Sequence, residues 1–446
     1  MNFFEKQVAK YDRRIKRIEE SPSSSMLASN KVLYEMTRNH WQNQIRWWEA
    51  GEPFAWCNGI APEGILNAMG IHVVNLEMLS YQSIPDAPKY IDIGQAAGLS
   101  VDLCSSIRAE WGMCLSEELP PPAFVVTMSA NCDSCFQASH LYAHHHKAPI
   151  FAIDCPYHGD DEESVAYLVE QYKEFIKFAE DITGHKYDED RLRPKNGADS
   201  EAIGRVQKEI YELRKAIPCP VAGRDTMRLG MAGTGGQGSL QYLEGMRDEI
   251  KARVDRKQGA FPGEKVRLGW LQTAPLYTDT FAFLEKLGAP IVASELGTLF
   301  LADGGSGRAA EMEPLERMAR GHIQAANWYG PIERRMEWVL EMCREFKVDA
   351  VVHFSQWGCR CTNTAAGLVR DRLEEELGIP TLILEGDYMD VRNYNQVEYE
   401  ETLEQFVKMV TLKKGDITEY DYDKEAYIAS QELDEEGLTA LGCHVG

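Results

Sequence analysis

The sequence predicts an α/β protein with two lobes, each built on a parallel sheet, and with helices before and between the lobes. Short apolar runs alternate with helical patterns in residues 50–165 and again in residues 265–410, and such alternation is typical of parallel βαβ units. The length of 446 residues favours more than one core, because domains usually hold about 100–200 residues. A third observation is that cysteine follows four of the apolar runs, at or just past the end of the predicted strand.

Residues 1–49 are predicted to form an N-terminal helical segment, interrupted by the serine- and proline-rich residues 21–25. In the first lobe, residues 50–165, Pro62-Glu63 opens a predicted helix, since proline is favoured at the first helical position. A second helix is expected within residues 100–116. The strands of this lobe are predicted at residues 54–56, 71–74, 124–128 and 150–153.

Residues 166–264 are predicted to form a helical connector, because apolar residues recur at helical spacing in residues 167–175. The charged residues 188–199 are interpreted as a loop. The glycine-rich residues 233–238 follow no clear strand and lack the Lys-Ser/Thr ending of a P-loop, so we interpret them as a flexible connector.

The second lobe, residues 265–410, is predicted to contain four strands and four helices. Gly378 is the expected stop signal of one helix, and residues 411–446 form an acidic tail. The strands are predicted at residues 266–271, 290–293, 348–354 and 381–385, and the helices at residues 281–288, 338–346, 364–377 and 399–410.

The composition, with 44% hydrophobic and 26% charged residues, is typical of a globular protein. A net charge of −23 argues against a nucleic-acid surface, which needs clustered Lys and Arg. No apolar run approaches the ~18 residues of a membrane span, and the first residues lack the basic and apolar regions of an export signal. We therefore expect a cytoplasmic protein without nucleic-acid or membrane partners.

In the cytoplasm, grouped cysteines favour metal binding or redox chemistry over disulfides. Open α/β sheets bind ligands beyond the carboxyl ends of their strands, where Cys57, Cys132, Cys155 and Cys359 are predicted to lie. The Cys132–Cys135 pair alone fits a redox pair, a zinc half-site or half of a cluster site. A second close pair, Cys359 and Cys361, lies far along the chain in the other lobe. Two pairs in different lobes favour an iron–sulfur cluster held between the lobes.

Several histidines lie close to the predicted cysteine-bearing strands in sequence. His144, His145 and His146 are adjacent, and adjacent side chains point in different directions on a helix or a strand, so we interpret them as a polar helix end. His158 follows Cys155 closely and is predicted to lie near the crevice as a candidate catalytic residue. The isolated Cys219, Cys343 and Cys443 are interpreted as small buried apolar residues.

Three cysteine segments, residues 104–112, 131–133 and 357–360, resemble the cysteine motifs of the benzoyl-CoA reductase and 2-hydroxyacyl-CoA dehydratase family. Residues 375–387, followed by Arg392-Asn393, are similar to the C-terminal signature of that family. The resemblance covers about residues 30–410. It implies two Rossmann-like lobes with parallel sheets plus N-terminal and connecting helices.

The resemblance also implies a cofactor and partners. Matching motif by motif, Cys104, Cys132 and Cys359 would hold a [4Fe–4S] cluster between the lobes. A separate ATP-hydrolysing iron–sulfur activator would deliver low-potential electrons, and a related subunit or a second copy of the chain would complete a dimer. The leading expectation is reduction of an aromatic acyl-CoA, as in benzoyl-CoA reductase, through a ketyl-type radical. The alternatives are radical dehydration of a 2-hydroxyacyl-CoA and a non-catalytic electron-carrying or scaffold subunit.

Cys135 and Cys361 depart from the three-cysteine pattern of the family. Doubled cysteines resemble the branch that holds a double-cubane [8Fe–9S] cluster and reduces small molecules with ATP, in which case Cys57 or Cys114 would be a sixth ligand. Otherwise Cys135 and Cys361 are packing thiols. For an acyl-CoA substrate, Glu63 is a candidate proton donor or hydroxyl partner, or else a surface residue of a first helical turn. Further candidates for the crevice are Ser129, Asn131 and Gln356.

Overall fold

The computed structural model divides the chain into two compact units. The first unit comprises Met1–Asp12, Arg38–Ala202 and Gly305–Arg335, and the second comprises Arg13–Thr37, Ile203–Gly304 and Met336–Gly446. The residues that it describes are 1–20, 27–130, 132–157, 161–192, 197–226, 238–261, 263–296, 312–326 and 331–415. Within these ranges, no helix is long and apolar enough to cross a membrane.

The first unit is built on a parallel sheet of four strands. They are β1 Phe54–Cys57, β2 His72–Asn75, β3 Phe124–Met128 and β4 Ile150–Ile153. Their order in the sheet is β2-β1-β3-β4, so that Trp56 of β1 aligns with Val74 of β2 on one side and with Val125 of β3 on the other. Every residue of β1 and β3 is buried, as expected for central strands covered on both faces.

The second unit repeats this plan. Its parallel strands are β5 Leu268–Leu271, β6 Ile291–Ser294, β7 Ala350–Gln356 and β8 Thr381–Gly386. Their order is β6-β5-β7-β8, and Trp270 of β5 aligns with both Ser294 and Val352. The prediction of an α/β fold with two parallel sheets is therefore confirmed, and all eight predicted strands lie within two residues of the observed bounds.

Helices connect the strands throughout the described residues. Up to residue 214 they are α1 Phe3–Glu20, α2 Asn30–Ala50, α3 Glu63–Met69, α4 Leu76–Gln82, α5 Ala87–Ala96, α6 Ser105–Leu115, α7 Asp133–His146, α8 Glu162–Thr183, α9 Glu189–Leu192 and α10 Gly197–Arg214. From residue 239 onward they are α11 Ser239–Asp255, α12 Thr280–Lys286, α13 Pro314–Ala326, α14 Ile332–Glu345, α15 Arg360–Asn363, α16 Ala366–Leu377 and α17 Gln396–Lys414, with a 3-10 turn at Val391–Asn393.

The core of the first unit includes a helix from late in the chain. Phe175 of α8 and Ile323 of α13 lie in one apolar cluster with Val126 of β3. The hydroxyl of Tyr172 lies 2.6 Å from Nδ1 of His322, which ties the same two helices together. Helix α13 therefore completes the first unit, although it follows strands β5 and β6 of the second in sequence.

Helices α5 and α6 approach each other closely because glycine lies at their contact. A methyl group on Gly94 would overlap the backbone carbonyl oxygen of Arg108, and one on Gly112 would overlap that of Tyr90. Gly112 ends the first of the three cysteine segments, residues 104–112. This close contact fixes the position of α6, and with it the position of Cys104 at the start of that helix.

The helix predicted within residues 100–116 is confirmed as α6, and the separate helix α5 precedes it. One helical prediction for the first unit needs correction. Residues 188–199, predicted to be a loop, contain α9 and the beginning of α10. The charged turn of α9 is stabilised by packing, because Leu192 contacts the backbone of α3 at Gly64. By contrast Gly378 ends α16 in a left-handed conformation, as predicted. Residues 233–237 of the glycine-rich segment lie outside the described residues.

Candidate metal centre

The three cysteines that match the family motifs occupy the same local position. Cys104, Cys132 and Cys359 are the N-cap residues of α6, α7 and α15. All three residues are partly exposed. By contrast, the other cysteines at the strand ends and on α6 and α7 are buried, namely Cys57, Cys114, Cys135 and Cys155.

Cys135 lies in the first turn of α7, directly behind Cys132. The two Sγ atoms are 3.3 Å apart, and the backbone N–H of Cys135 donates a hydrogen bond to Sγ of Cys132 at 3.4 Å. The contact with Cys132 raises the pKa of the Cys135 thiol well above its usual range, and burial and the carboxylates of Glu77 and Glu110 raise it further. Cys135 is therefore a neutral thiol unless a metal ion displaces its proton.

In the second unit, Cys359 has two close neighbours. Its Sγ atom lies 3.5 Å from Sγ of Cys361 and 3.9 Å from Nε2 of Gln272. Gln272 directly follows β5 and Cys359 follows β7, so the contact lies at the carboxyl ends of the two central strands. This is the position where open α/β sheets bind ligands.

The backbone of Gln272 adopts an unusual left-handed conformation with φ of 76°. Its N–H donates a hydrogen bond to Oε2 of the fully buried Glu295 at 2.9 Å. The side-chain oxygen of Gln272 accepts a hydrogen bond from the backbone N–H of Thr273 at 3.0 Å. These two bonds orient the side-chain amide so that its N–H groups face Cys359. Non-glycine residues in this conformation are concentrated at functional sites.

A buried carboxyl network links the two cysteine-bearing helices of the first unit. Glu110 of α6 is fully buried, and its Oε2 atom accepts hydrogen bonds from Nδ2 of Asn58 at 2.7 Å and from the hydroxyl of Tyr142 at 2.8 Å. Its Oε1 atom accepts one from the hydroxyl of Ser106 at 2.7 Å. Burial and the charge of Glu77 raise the pKa of Glu110 to about 7, although the three hydrogen bonds oppose the rise.

Sequence reasoning did not single out Glu110. The residue falls inside the first cysteine segment, but nothing in its spacing indicates that the side chain points into the interior. Asn58 follows β1 and Tyr142 lies on α7, so the network is visible only once the sheet and both helices are in place.

Glu63 occupies the first turn of α3, at the carboxyl ends of β1 and β2. Its Oε1 atom accepts a hydrogen bond from Nδ2 of Asn75 at 2.9 Å and lies 3.9 Å from Sγ of Cys57. Asn75 is held in turn by a hydrogen bond from the same Nδ2 atom to the carbonyl oxygen of Gly59 at 2.9 Å. Burial raises the pKa of Glu63, opposed by the hydrogen bonds from Asn75 and Cys57. The carboxyl thus has fixed interior partners.

The remaining candidates form hydrogen bonds within the protein or lie outside the described residues. Ser129 donates a hydrogen bond to Oδ1 of Asp154 at 2.9 Å and accepts one from the backbone N–H of Cys155 at 2.7 Å. Gln356 is buried, and its Oε1 atom accepts the backbone N–H of Tyr388 at 2.6 Å. His158 and Asn131 lie outside the described residues.

A sixth ligand of a cluster shared with Cys104 would have to lie near that residue, and Cys114 does not. It is ten residues further along the same helix, and a rise of 1.5 Å per residue separates the two by about 15 Å. Cys57 is buried at the end of β1, and burial together with the charges of Glu63 and Glu77 raises the pKa of its thiol well above the usual range.

The donor set fits an iron–sulfur group. Such clusters are held by cysteine thiolates, and the three N-cap cysteines are partly exposed residues. The close neighbours Cys135 and Cys361 offer two more soft donors.

The chain was compared with known protein families and with characterised proteins. Residues 59–410 match the family of the 2-hydroxyglutaryl-CoA dehydratase, D-component. The chain is 22% identical to the (R)-phenyllactyl-CoA dehydratase alpha subunit of Clostridium sporogenes, over 86% of this chain and 98% of that subunit. It is 20% identical to the (R)-2-hydroxyisocaproyl-CoA dehydratase alpha subunit of Clostridioides difficile, over 86% and 96%. A third relative is the lactoyl-CoA dehydratase subunit alpha of Anaerotignum propionicum, 22% identical over 81% and 91%.

These matches confirm the resemblance drawn from the three cysteine segments and the C-terminal signature. The family match spans well over half of the chain and includes Cys104, Cys132 and Cys359. The protein is accordingly an enzyme component, and it belongs to the family of the 2-hydroxyglutaryl-CoA dehydratase D-component.

Proposed function

We propose that this chain is the iron–sulfur subunit of a radical dehydratase that acts on a 2-hydroxyacyl-CoA. The observation that carries the proposal is the family match over residues 59–410, with three motif cysteines at helix N-caps. The three relatives named above are all dehydratase subunits. Reduction of an aromatic acyl-CoA, the leading expectation from the sequence, is not the activity named for any of them.

Cys104, Cys132 and Cys359 would hold a [4Fe–4S] cluster, with one iron free of protein ligands. When bound, the cluster would supply single low-potential electrons to the thioester carbonyl of the substrate. The electrons would come from a separate ATP-hydrolysing activator, and a related subunit or a second copy of the chain would complete the enzyme. A redox-neutral dehydration would return the electron, so that one injected electron serves many turnovers.

Within this scheme Glu63 is the proposed proton donor to the departing hydroxyl group. Its raised pKa keeps the carboxyl group protonated to a higher pH than an exposed glutamate. Asn75 holds the carboxyl in place through its hydrogen bond to Oε1. A hydroxyl group leaves as water once it is protonated, and a protonated carboxyl group supplies that proton and becomes a carboxylate.

The test measures how much reductant is consumed per product. Anaerobic protein would be combined with the activator of a related dehydratase, its partner subunit, ATP and a 2-hydroxyacyl-CoA with an aromatic or branched side chain. Dehydration predicts many molecules of 2-enoyl-CoA per electron supplied. Product formed in strict proportion to the reductant would contradict the dehydratase proposal and support a reductase.

A second candidate function is supported by the paired sulfurs. Cys135 lies 3.3 Å from Cys132 and Cys361 lies 3.5 Å from Cys359, measured between Sγ atoms. Such doubling suits a double-cubane cluster and ATP-dependent reduction of a small molecule. This candidate predicts about eight irons per chain instead of about four. An unchanged iron content in the C135S/C361S double variant would exclude it.

A further inference from the structure

A second group of metal-binding side chains lies at the far ends of α6 and α7. Cys114 is in the last turn of α6, and His145 and His146 are in the last turn of α7. Their ligand atoms, one sulfur and two ring nitrogens, all lie within 4.8 Å of one another. The prediction that the histidines end a helix is confirmed. Three adjacent histidines rarely bind one ion, but the structure brings Cys114 of another helix to two of them, His145 and His146.

The distances suit a tetrahedral zinc ion. Zinc binds a cysteine sulfur at about 2.3 Å and a histidine nitrogen at about 2.0–2.1 Å, so two such ligands at a tetrahedral angle lie about 3.6 Å apart. Sγ of Cys114 and Nε2 of His146 are 3.6 Å apart. The ligand nitrogen of His145 lies within 4.8 Å of both of these atoms.

The surroundings hold the ligands in place and leave a route for the ion. Cys114 is 2% exposed, His146 is half-buried and His145 is exposed, so an ion can enter from the side of His145. The indole of Trp56 packs edge-on against His146, and that of Trp111 against His145, with ring centres 4.6 Å and 5.7 Å apart.

We propose that Cys114, His145 and His146 bind one zinc ion, with a water molecule at the fourth position. One thiolate and two imidazoles form a donor set that zinc favours. Cys104 and Cys132 are the N-cap residues of α6 and α7, and both helices end at this site. The ion would therefore fix the two helices relative to each other at the ends remote from those cysteines. The relevance of this ion to cluster binding at Cys104 and Cys132 rests on the proposed function, whereas the zinc site itself does not.

The test compares zinc content among matched variants of the cluster-loaded protein. Wild type, C114S, H145Q and H146Q would be dialysed anaerobically against Zn²⁺ and then analysed for zinc and iron. H144Q is the control, because His144 belongs to the same helical turn but not to the group. We expect wild type and H144Q to hold one zinc per chain more than the other three variants, with equal iron in all five. Equal zinc in all five proteins would overturn the proposal.

Zinc bound at the other cysteines adds equally to every sample and cancels in the comparison. H145Q guards against a folding defect, because His145 is exposed and its replacement leaves the core intact. Zinc should also raise the Tm of wild type and H144Q but not that of H145Q, since a ligand that binds only the folded state stabilises it. An identical rise in Tm for all three would contradict the site.

Discussion

The side-chain amide of Gln272 lies 3.9 Å from the sulfur of Cys359, joining the carboxyl ends of the two central strands of the second sheet. The left-handed backbone of Gln272 and the hydrogen bond from Thr273 to its side-chain oxygen aim the amide at the sulfur. Hydrogen bonds to cluster sulfurs are one of the main determinants of reduction potential. Gln272 is therefore a positioning and tuning residue in the proposed cluster site.

Replacing Gln272 with Asn should lower the reduction potential of the bound cluster. Asparagine tolerates a left-handed backbone, but its amide is too short to reach Cys359. A hydrogen bond contributes about 0.5–1.5 kcal/mol, and 1.4 kcal/mol corresponds to 59 mV for one electron, so we expect a decrease of about 20–60 mV. An anaerobic redox titration followed by electron paramagnetic resonance measures it. An unchanged potential at full iron content would show that the contact has no influence on the cluster.

Replacing Glu110 with Gln should remove a pH dependence of stability. The folded pKa of about 7 is raised above the ordinary value of about 4.5, so the stabilisation is complete below the unfolded pKa and is lost as pH rises towards 7. At 1.36 kcal/mol per pKa unit, the loss amounts to about 3 kcal/mol. Denaturant unfolding at pH 5 and pH 7 should capture about 2 kcal/mol of this loss, because the group is still half protonated at its folded pKa. The same decrease in the E110Q variant would mean that another group causes it.

Replacing Gly112 with Ala should destabilise the first unit. The added methyl group would overlap the carbonyl oxygen of Tyr90 on α5, and overpacking of this kind costs about 1–3 kcal/mol. The control is Gly367→Ala in α16, where no atom lies within 4 Å of the added carbon and the change should stabilise the helix by about 0.5–1 kcal/mol. Thermal unfolding of both variants provides the comparison. Equal Tm values would contradict the close packing of α5 and α6.

Replacing Glu63 with Gln should reduce turnover without removing the cluster. A positioned general acid contributes roughly 10²–10⁴-fold to the rate, so kcat should fall by that factor while iron content stays constant. In the wild type, kcat/KM should decline as pH rises through the raised pKa of Glu63, because the carboxyl loses its proton. Asn67→Ala is the control, since Asn67 lies on the exposed side of the same helix. Normal turnover in E63Q would exclude the acid role.

The elements that the sequence predicted well are those with a strong local signal. The apolar run that forms β7 and the cysteines after it could be placed from residue order alone. Helix α16 was recognisable by Gly378, which its left-handed end requires. The three motif cysteines likewise follow from short segments of sequence. What these segments share is that their structure depends on neighbours within a few residues.

The features that escaped prediction depend on contacts between distant residues. Glu110 is buried because Asn58 and Tyr142 close over it, and neither lies within thirty residues of it. The contact of Gln272 with Cys359 exists because β5 pairs with β7, which brings the ends of the two strands together. Helix α9 has a charged sequence and is stabilised by Leu192 packing on α3. In each case the partner is supplied by tertiary structure, which local patterns do not encode.

The iron and acid-labile sulfide content per chain after anaerobic purification decides whether this protein binds the proposed cluster. We expect about four irons in the wild type and loss of most of that iron in each of the variants C104A, C132A and C359A. The variant C343A is the control, since Cys343 is a buried cysteine of α14 outside the proposed site, and it should retain all the iron. Iron that is absent from the wild type, or unchanged in the three variants, would contradict the assignment of these cysteines as cluster ligands.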